Sequence, residues 1–206
     1  MSKNIVNPYK NVLLTGGSGR LGSKIRLSRK IPDLLAPPRD ILDITEQYSI
    51  AAFFKQNKID AIIHCAALAR MKECEAKPSE AIRTNIIGTG NLVNQVIRLE
   101  KKSQTVRFIH ISTDGVYAST SGNYKETDAT SPYNIYGWSK LGAECSVRCL
   151  SNFCIIRTRF FDPSHIPFKK SASDLYTSSI PIEDLVDAII KILSIDLVGI
   201  INIGFP

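Results

Sequence analysis

Asn11-Val12-Leu13-Leu14-Thr15-Gly16-Gly17-Ser18-Gly19-Arg20-Leu21-Gly22 decides how the rest of the chain is read. Its first five residues form a short apolar run rich in strand formers, which predicts a buried strand. The glycines that follow fit two spacings at once: Gly-x-Gly-x-x-Gly at 17, 19 and 22, and Gly-x-x-Gly-x-x-Gly at 16, 19 and 22. Glycine permits a tight turn there and lets a pyrophosphate approach the backbone. A helix opening near Arg20 would aim its free N–H groups at the phosphates. A glycine triplet alone says little, but between a strand and a helix it meets the context a dinucleotide site requires.

Downstream, Leu34-Leu35-Ala36 predicts a short second strand, closed by Pro37-Pro38. Sites that prefer NAD place an acid near the end of that strand, to bind the ribose 2′-hydroxyl. Arg39 stands there instead, followed by Asp40, and a guanidinium suits a 2′-phosphate, so the lean is towards NADP(H). An exposed turn arginine is the plainer alternative. Asp43-Ile44-Thr45 leads into an amphipathic helix through Tyr48, Ala51, Phe54 and Ile59. Residues 60–67 read as a third strand, and the small residues at its end suit a flat ligand lying across the sheet edge. A helix is predicted over 78–102, with Asn85 in its middle, where an amide is unfavourable unless it has a partner.

A fourth strand over 106–111 delivers Ser112-Thr113-Asp114 at its carboxyl end, where open α/β sheets bind ligands. A simple turn is the alternative, and Ser112 lacks the Gly-x-Ser-x-Gly setting of a hydrolase nucleophile. After a loop over 119–131 comes a helix with Tyr136 and Lys140. A fifth strand over 152–157, a polar irregular stretch over 162–179, a helix over 182–193 and a strand over 199–204 complete the chain. Strands alternating with helices predict an α/β fold, a Rossmann-like doubly wound parallel sheet. We read a single domain over 1–206, with a dinucleotide-binding core over 11–160 and a small C-terminal substrate-side segment over 161–206.

Tyr136-x-x-x-Lys140 places a phenol and an ammonium on one helix face. A free tyrosine, with a pKa near ~10, keeps its proton at neutral pH; a nearby cation would draw it towards acid–base work. Taken alone the pair is more often solvated surface, and it gains weight from the glycine turn and from Thr113.

The bulk numbers set outer bounds. The 206 residues suffice for one core, and 44% hydrophobic with 22% charged residues is ordinary for a globular chain. No apolar run reaches the ~18 residues of a membrane span, and no apolar signal core opens the chain, so a cytoplasmic protein is expected. The five cysteines and three histidines show no metal-ligand or paired spacing, so no metal and a reducing compartment are expected. Residues 1–30 carry seven of the 26 basic side chains and no acid, which leaves the remainder balanced. That local field suits a phosphorylated ligand; without aromatic-rich binding motifs, nucleic acid ranks low.

Taken together, the glycine turn, Ser112-Thr113-Asp114-Gly115-Val116-Tyr117, Asn85-Ile86-Ile87-Gly88-Thr89 and Tyr136-Gly137-Trp138-Ser139-Lys140-Leu141-Gly142-Ala143-Glu144 resemble the extended short-chain dehydrogenase/reductases. Within them the chain looks most like dTDP-4-dehydrorhamnose reductases and related sugar-nucleotide reductases. The resemblance implies a catalytic set of Thr113, Tyr136 and Lys140. Tyr136 would protonate a substrate carbonyl, Thr113 would bind its oxygen, and Lys140 would lower the tyrosine pKa and hold the nicotinamide ribose. It also implies a pyrophosphate cradle of Gly16, Ser18, Gly19, Arg20, Leu21 and Gly22. Arg39, Asp43 and Ile44 would lie at the adenosine end, and Ala66, Ala67 and Asn85 further along the cofactor, NADP or NAD. The substrate would be a sugar nucleotide, and a homodimer is open. The chain departs from the family in its small substrate lobe. Two alternatives therefore stand beside the reductase: a sugar-nucleotide 4-epimerase, and a non-catalytic nucleotide-binding regulatory subunit like the one that accompanies methionine adenosyltransferase.

Overall fold

A computed structural model describes residues 8–118, 120, 122–164 and 177–205. β1 (Val12–Thr15) is fully enclosed, and the glycine turn carries it into α1 (Arg20–Ser28). Next come α2 (Gln47–Gln56), β2 (Ala61–His64), α3 (Met71–Ala76) and α4 (Pro78–Ala81). A π turn over Ile82–Ile87 joins α4 to α5 (Gly88–Glu100). The order continues with β3 (Arg107–Thr113), α6 (Ile135–Val147), β4 (Phe153–Phe161), β5 (Ser179–Pro181), α7 (Ile182–Leu193) and β6 (Gly199–Ile203).

The described strands pair in parallel. β1 pairs with β2, β2 with β3 and β3 with β4; β6 lies on β4 from Cys154 to Thr158, and β5 pairs with the last three residues of β4. Such a sheet must be covered on both faces, and two apolar layers do this. Leu21 and Ile25 of α1 and Leu185, Ile189 and Ile192 of α7 pack with Ile63 and Ile109 on one face. Ile50 of α2, Leu92 and Val96 of α5 and Val147 of α6 pack with Ile62, Phe108 and Ile155 on the other.

The expected second strand is reduced to one bridge, Leu35 beside Leu13. Leu35 exchanges bonds with Leu14 N and Val12 O, but Pro37 and Pro38 bring no N–H with which to extend the pairing. This stub lies on the opposite edge of β1 from β2. The chain therefore reverses its winding at β1, and the glycine turn opens at that switch point, where α/β sheets bind ligands. The helix expected over 78–102 is interrupted by the π turn. α3 and β5 had no counterpart in the sequence reading, and most of the stretch read as irregular, 165–176, lies outside the described residues.

Candidate functional site

Two cavities open along the carboxyl ends of the strands. The first, about 260 Å³, is lined by Gly16, Ser18 and Gly19 of the turn, by Arg39, Asp43 and Ile44, and by Ala66 and Ala67 after β2. Thr15, Pro37, Pro38, Leu42, Thr45, Cys65 and Thr84 join them and were not singled out from the sequence. Gly16 has φ +71°, and a Cβ on it would meet Ala66 N at 2.6 Å. A Cβ on Gly22 would lie 2.2 Å from Gly16 O, so α1 can pack on the turn only with glycine there. Gly19 N donates to Gly16 O at 3.0 Å and closes the loop. The cradle therefore fits a dinucleotide: a close-packed backbone turn at a helix N-terminus, with no side chain in the way.

Of the expected cofactor residues, Arg20, Leu21, Gly22 and Asn85 do not line this cavity. Leu21 and Gly22 are buried beneath the turn. Arg20 lays its guanidinium over the Phe160 ring, 5.7 Å from the centroid. Arg39 pairs with Asp43 at 3.0 Å and is mostly exposed. Asn85 does not line the cavity. It is wholly buried, accepting from Leu68 N at 2.7 Å and donating to Leu68 O at 3.0 Å and to Ser139 Oγ at 2.8 Å. The amide that looked misplaced in mid-helix is a clamp between the loop after β2 and α6.

α6 is held at its start from two directions. The Asn134 side chain accepts from Gly137 N at 2.7 Å, and Glu75 of α3 accepts from Ile135 N at 2.9 Å. Helix starts leave N–H groups without partners, and these oxygens satisfy two of them. So fixed, α6 presents Tyr136 to the end of β3. The phenol is half-buried, close to the Thr113 hydroxyl, Asp114 and Arg159. Thr113 Oγ1 also accepts from Gly115 N at 3.1 Å, while Arg159 Nε donates to Asp114 at 2.8 Å.

The expected electrostatics are corrected here. Burial pushes the Tyr136 phenol up to about 12; Cys74 and Asp114 add to the rise, and Thr113 and Arg159 oppose it. The buried Lys140 ammonium acts on His64, Cys65 and His110, and burial lowers it to about 8 against the pull of Glu144.

The second cavity, about 720 Å³, is lined by Asp114, Tyr117, Tyr124 and Tyr133. Arg157, Arg159, Asn202 and Phe205 also line it. Asp114, which acts on Tyr136, lines this cavity, and Cys65, which acts on Lys140, lines the first. Among the described residues no helix is long and apolar enough to cross a membrane, and no group of His, Cys, Asp and Glu could hold a metal ion.

The family model described as RmlD substrate binding domain matches residues 10–168. A dTDP-4-keto-6-deoxy-D-glucose reductase of Streptomyces niveus is 34% identical over 158 residues, 74% of this chain and 53% of that protein. The methionine adenosyltransferase 2 subunit beta of Xenopus tropicalis is 30% identical over 149 residues, 68% of this chain and 43% of its own length. In three dimensions, a dTDP-4-dehydrorhamnose reductase from Clostridium acetobutylicum superposes with a TM-score of 0.82 at 25% identity, covering 94% of this chain and 74% of that one. The chain spans about half the length of the curated relatives it matches.

Proposed function

Because the chain belongs to the family of the RmlD substrate binding domain, we propose that it is an NADP(H)-dependent reductase of a keto-sugar nucleotide. The observation that carries the reading is that two α6 side chains are each acted on by a residue of a different cavity: Tyr136 by Asp114 of the larger one, with Thr113 also close, and Lys140 by Cys65 of the glycine-turn cavity.

In this reading Gly16, Ser18, Gly19 and the start of α1 hold the pyrophosphate, with Arg39 and Asp43 at the adenosine end and Ala66 and Ala67 alongside. The nicotinamide supplies the hydride when bound. Thr113 donates a hydrogen bond to the substrate carbonyl oxygen, and Tyr136 gives that oxygen its proton. A reductase needs the phenol loaded before the reaction, and a burial-raised pKa of about 12 keeps it so at neutral pH. The phenolate left behind is stabilised by Arg159 and by the Thr113 hydroxyl, both of which favour the charged form.

The test is to mix purified chain, NADPH and a dTDP-4-dehydro-6-deoxy sugar and to follow the loss of nicotinamide absorbance. Turnover that falls ~100-fold or more in Tyr136→Phe supports the reading. The likeness to the adenosyltransferase subunit favours a second reading as a nucleotide-binding subunit. Tight cofactor binding with no turnover on any keto-sugar would establish that one instead.

A further inference from the structure

The larger cavity is lined by two stretches of chain distant in sequence. Gly122, Asn123, Tyr124 and Tyr133 come from the stretch between β3 and α6, and Asn202 comes from β6. The first stretch is neither helix nor strand over 122–134, so isolated bonds must set its place. Asn202 supplies three of them. Its Nδ2 donates to Tyr124 O at 2.9 Å, its Oδ1 accepts from the Tyr117 hydroxyl at 2.9 Å, and its backbone N–H donates to the Glu126 carboxylate at 2.7 Å. Tyr117 lines the cavity too, and its ring stacks on that of Tyr124, with centroids 4.7 Å apart and planes 5° from parallel. Its hydroxyl also accepts from Arg157 Nη1 at 2.8 Å.

The anchor is firm because it belongs to the sheet. Asn202 stands opposite Arg157 in the β4–β6 ladder. Its neighbours Ile201 and Ile203 pack against the apolar layer that α1 and α7 cover, and strand alternation turns Asn202 to the other face. Both ends of its amide are used, donor and acceptor. Bonds between Lys125 and Asp128, and from Ser131 N to Val116 O, shape the loose stretch locally, whereas those of Asn202 tie it to the sheet.

We propose that Asn202 is a positioning residue for the substrate: it holds residues 124–126 to β6, so that the lining of the larger cavity is in place before a ligand arrives. A ligand then avoids the cost of ordering that lining. The inference deepens the reductase reading and rests on it for the ligand, a nucleoside diphosphate sugar.

The test uses the full chain, with dTDP as the probe. Asn202→Leu removes both amide bonds at similar size and leaves the backbone N–H for Glu126. Glu126→Ala, at an exposed position, is the second variant and decides the matter if circular dichroism shows the first unfolded. Hydrogen exchange over 122–131 should be ~10-fold or more faster in Asn202→Leu, with β1, β2 and α5 unchanged. Affinity for dTDP should fall ~10-fold or more while that for NADPH stays within ~2-fold, and KM for the keto-sugar should rise with kcat held. Glu126→Ala should move exchange and dTDP affinity the same way, by ~3-fold. A general loss of packing would weaken NADPH and lower kcat as well; that result overturns the inference, as does unchanged exchange or unchanged dTDP affinity. A parent that binds no dTDP also overturns it. A parent that binds dTDP but turns over no keto-sugar sinks the reductase reading alone, and the dTDP affinities still decide the role of Asn202.

Discussion

Asn85 Nδ2 donates to Ser139 Oγ across 2.8 Å, and this bond ties the π turn to the helix that carries Tyr136 and Lys140. Ser139 passes the link on, donating to Tyr136 O at 2.8 Å. A π turn widens the helix by one residue and is found disproportionately at functional sites. Here it belongs to the segment that delivers a buried amide to the back of the candidate site.

Asn85→Ala should be costly because it removes a wholly buried amide that bonds Leu68 N, Leu68 O and Ser139 Oγ. The Leu68 N–H and carbonyl both lose their Asn85 partner, as does Ser139. Buried polar groups left unpaired cost about 1–3 kcal/mol each, so a total loss of about 3 kcal/mol is expected in urea unfolding. Asn85→Asp keeps the acceptor for Leu68 N and should lose less. A loss below about 1 kcal/mol in the alanine variant would show that the clamp does not hold the loop.

Gly22→Ala should damage cofactor binding although Gly22 itself does not line the cavity. Its methyl would stand 2.2 Å from Gly16 O, so either α1 or the turn must move. The expected result is a fall in NADPH affinity of at least ~10-fold, about 1.4 kcal/mol, read from the cofactor's fluorescence. Gly90→Ala, where a Cβ would meet only Ser146 Oγ at 3.8 Å, is the control and should bind as the parent does.

The two variants also mark what could be read beforehand. The glycine turn is a local signal, because strand, turn and helix start lie within twelve consecutive residues, and the structure keeps all three where they were expected. α7 was equally legible, since its apolar residues recur at the helical period over Ile182–Leu193. α3 was not: six residues with only Cys74 buried give no period to detect. Its reason for existing is distant in sequence, at Ile135 and Asn134, which bond Glu75 and Met71. Arg107 is a similar case. Read as an ordinary strand residue, it is buried and donates to Asn152 Oδ1 at 2.8 Å and Leu197 O at 2.7 Å, fastening the α7–β6 turn. The Tyr136–Lys140 spacing showed which residues share a face, but not that burial would govern the phenol.

His64 gives the fold an acid-sensitive joint. Its ring bridges Thr15 Oγ1 at 2.6 Å and Thr89 Oγ1 at 2.9 Å, linking β1, β2 and α5. Burial holds it neutral, with a pKa lowered from 6.5 to about 3. Between those values the unfolded chain binds a proton that the folded chain does not, so stability rises with pH across that window. The contribution is complete above pH 6.5 and is lost as pH falls towards 3, by about 1.4 kcal/mol per unit. His110, also buried and lowered, adds a slope of the same sign. Urea unfolding of His64→Gln at pH 7, 6 and 5 should show a shallower decline than the parent. Parallel declines would mean that His64 takes up its proton in the folded chain over the same pH range as in the unfolded one.

Arg39 tests the choice between the two nicotinamide dinucleotides. Its guanidinium sits on the wall of the glycine-turn cavity, paired with Asp43 at 3.0 Å, with most of the side chain open to solvent. Asp43 is already committed elsewhere: its other oxygen accepts from Thr45 N at 2.9 Å and Thr45 Oγ1 at 2.8 Å, which holds the carboxylate in place. An arginine anchored this way by one N–H keeps other donors for a 2′-phosphate, while the same carboxylate would repel that phosphate if the arginine were absent. Arg39→Ala should therefore lower affinity for NADPH by about 10-fold while leaving NADH within about 2-fold, since only the former carries the extra phosphate. Because the site is exposed, the NADPH preference should shrink further as salt is raised. Dissociation constants for both cofactors at two ionic strengths decide the matter. An NADPH-to-NADH ratio unchanged by the substitution removes Arg39 from the site and with it the argument for NADP(H).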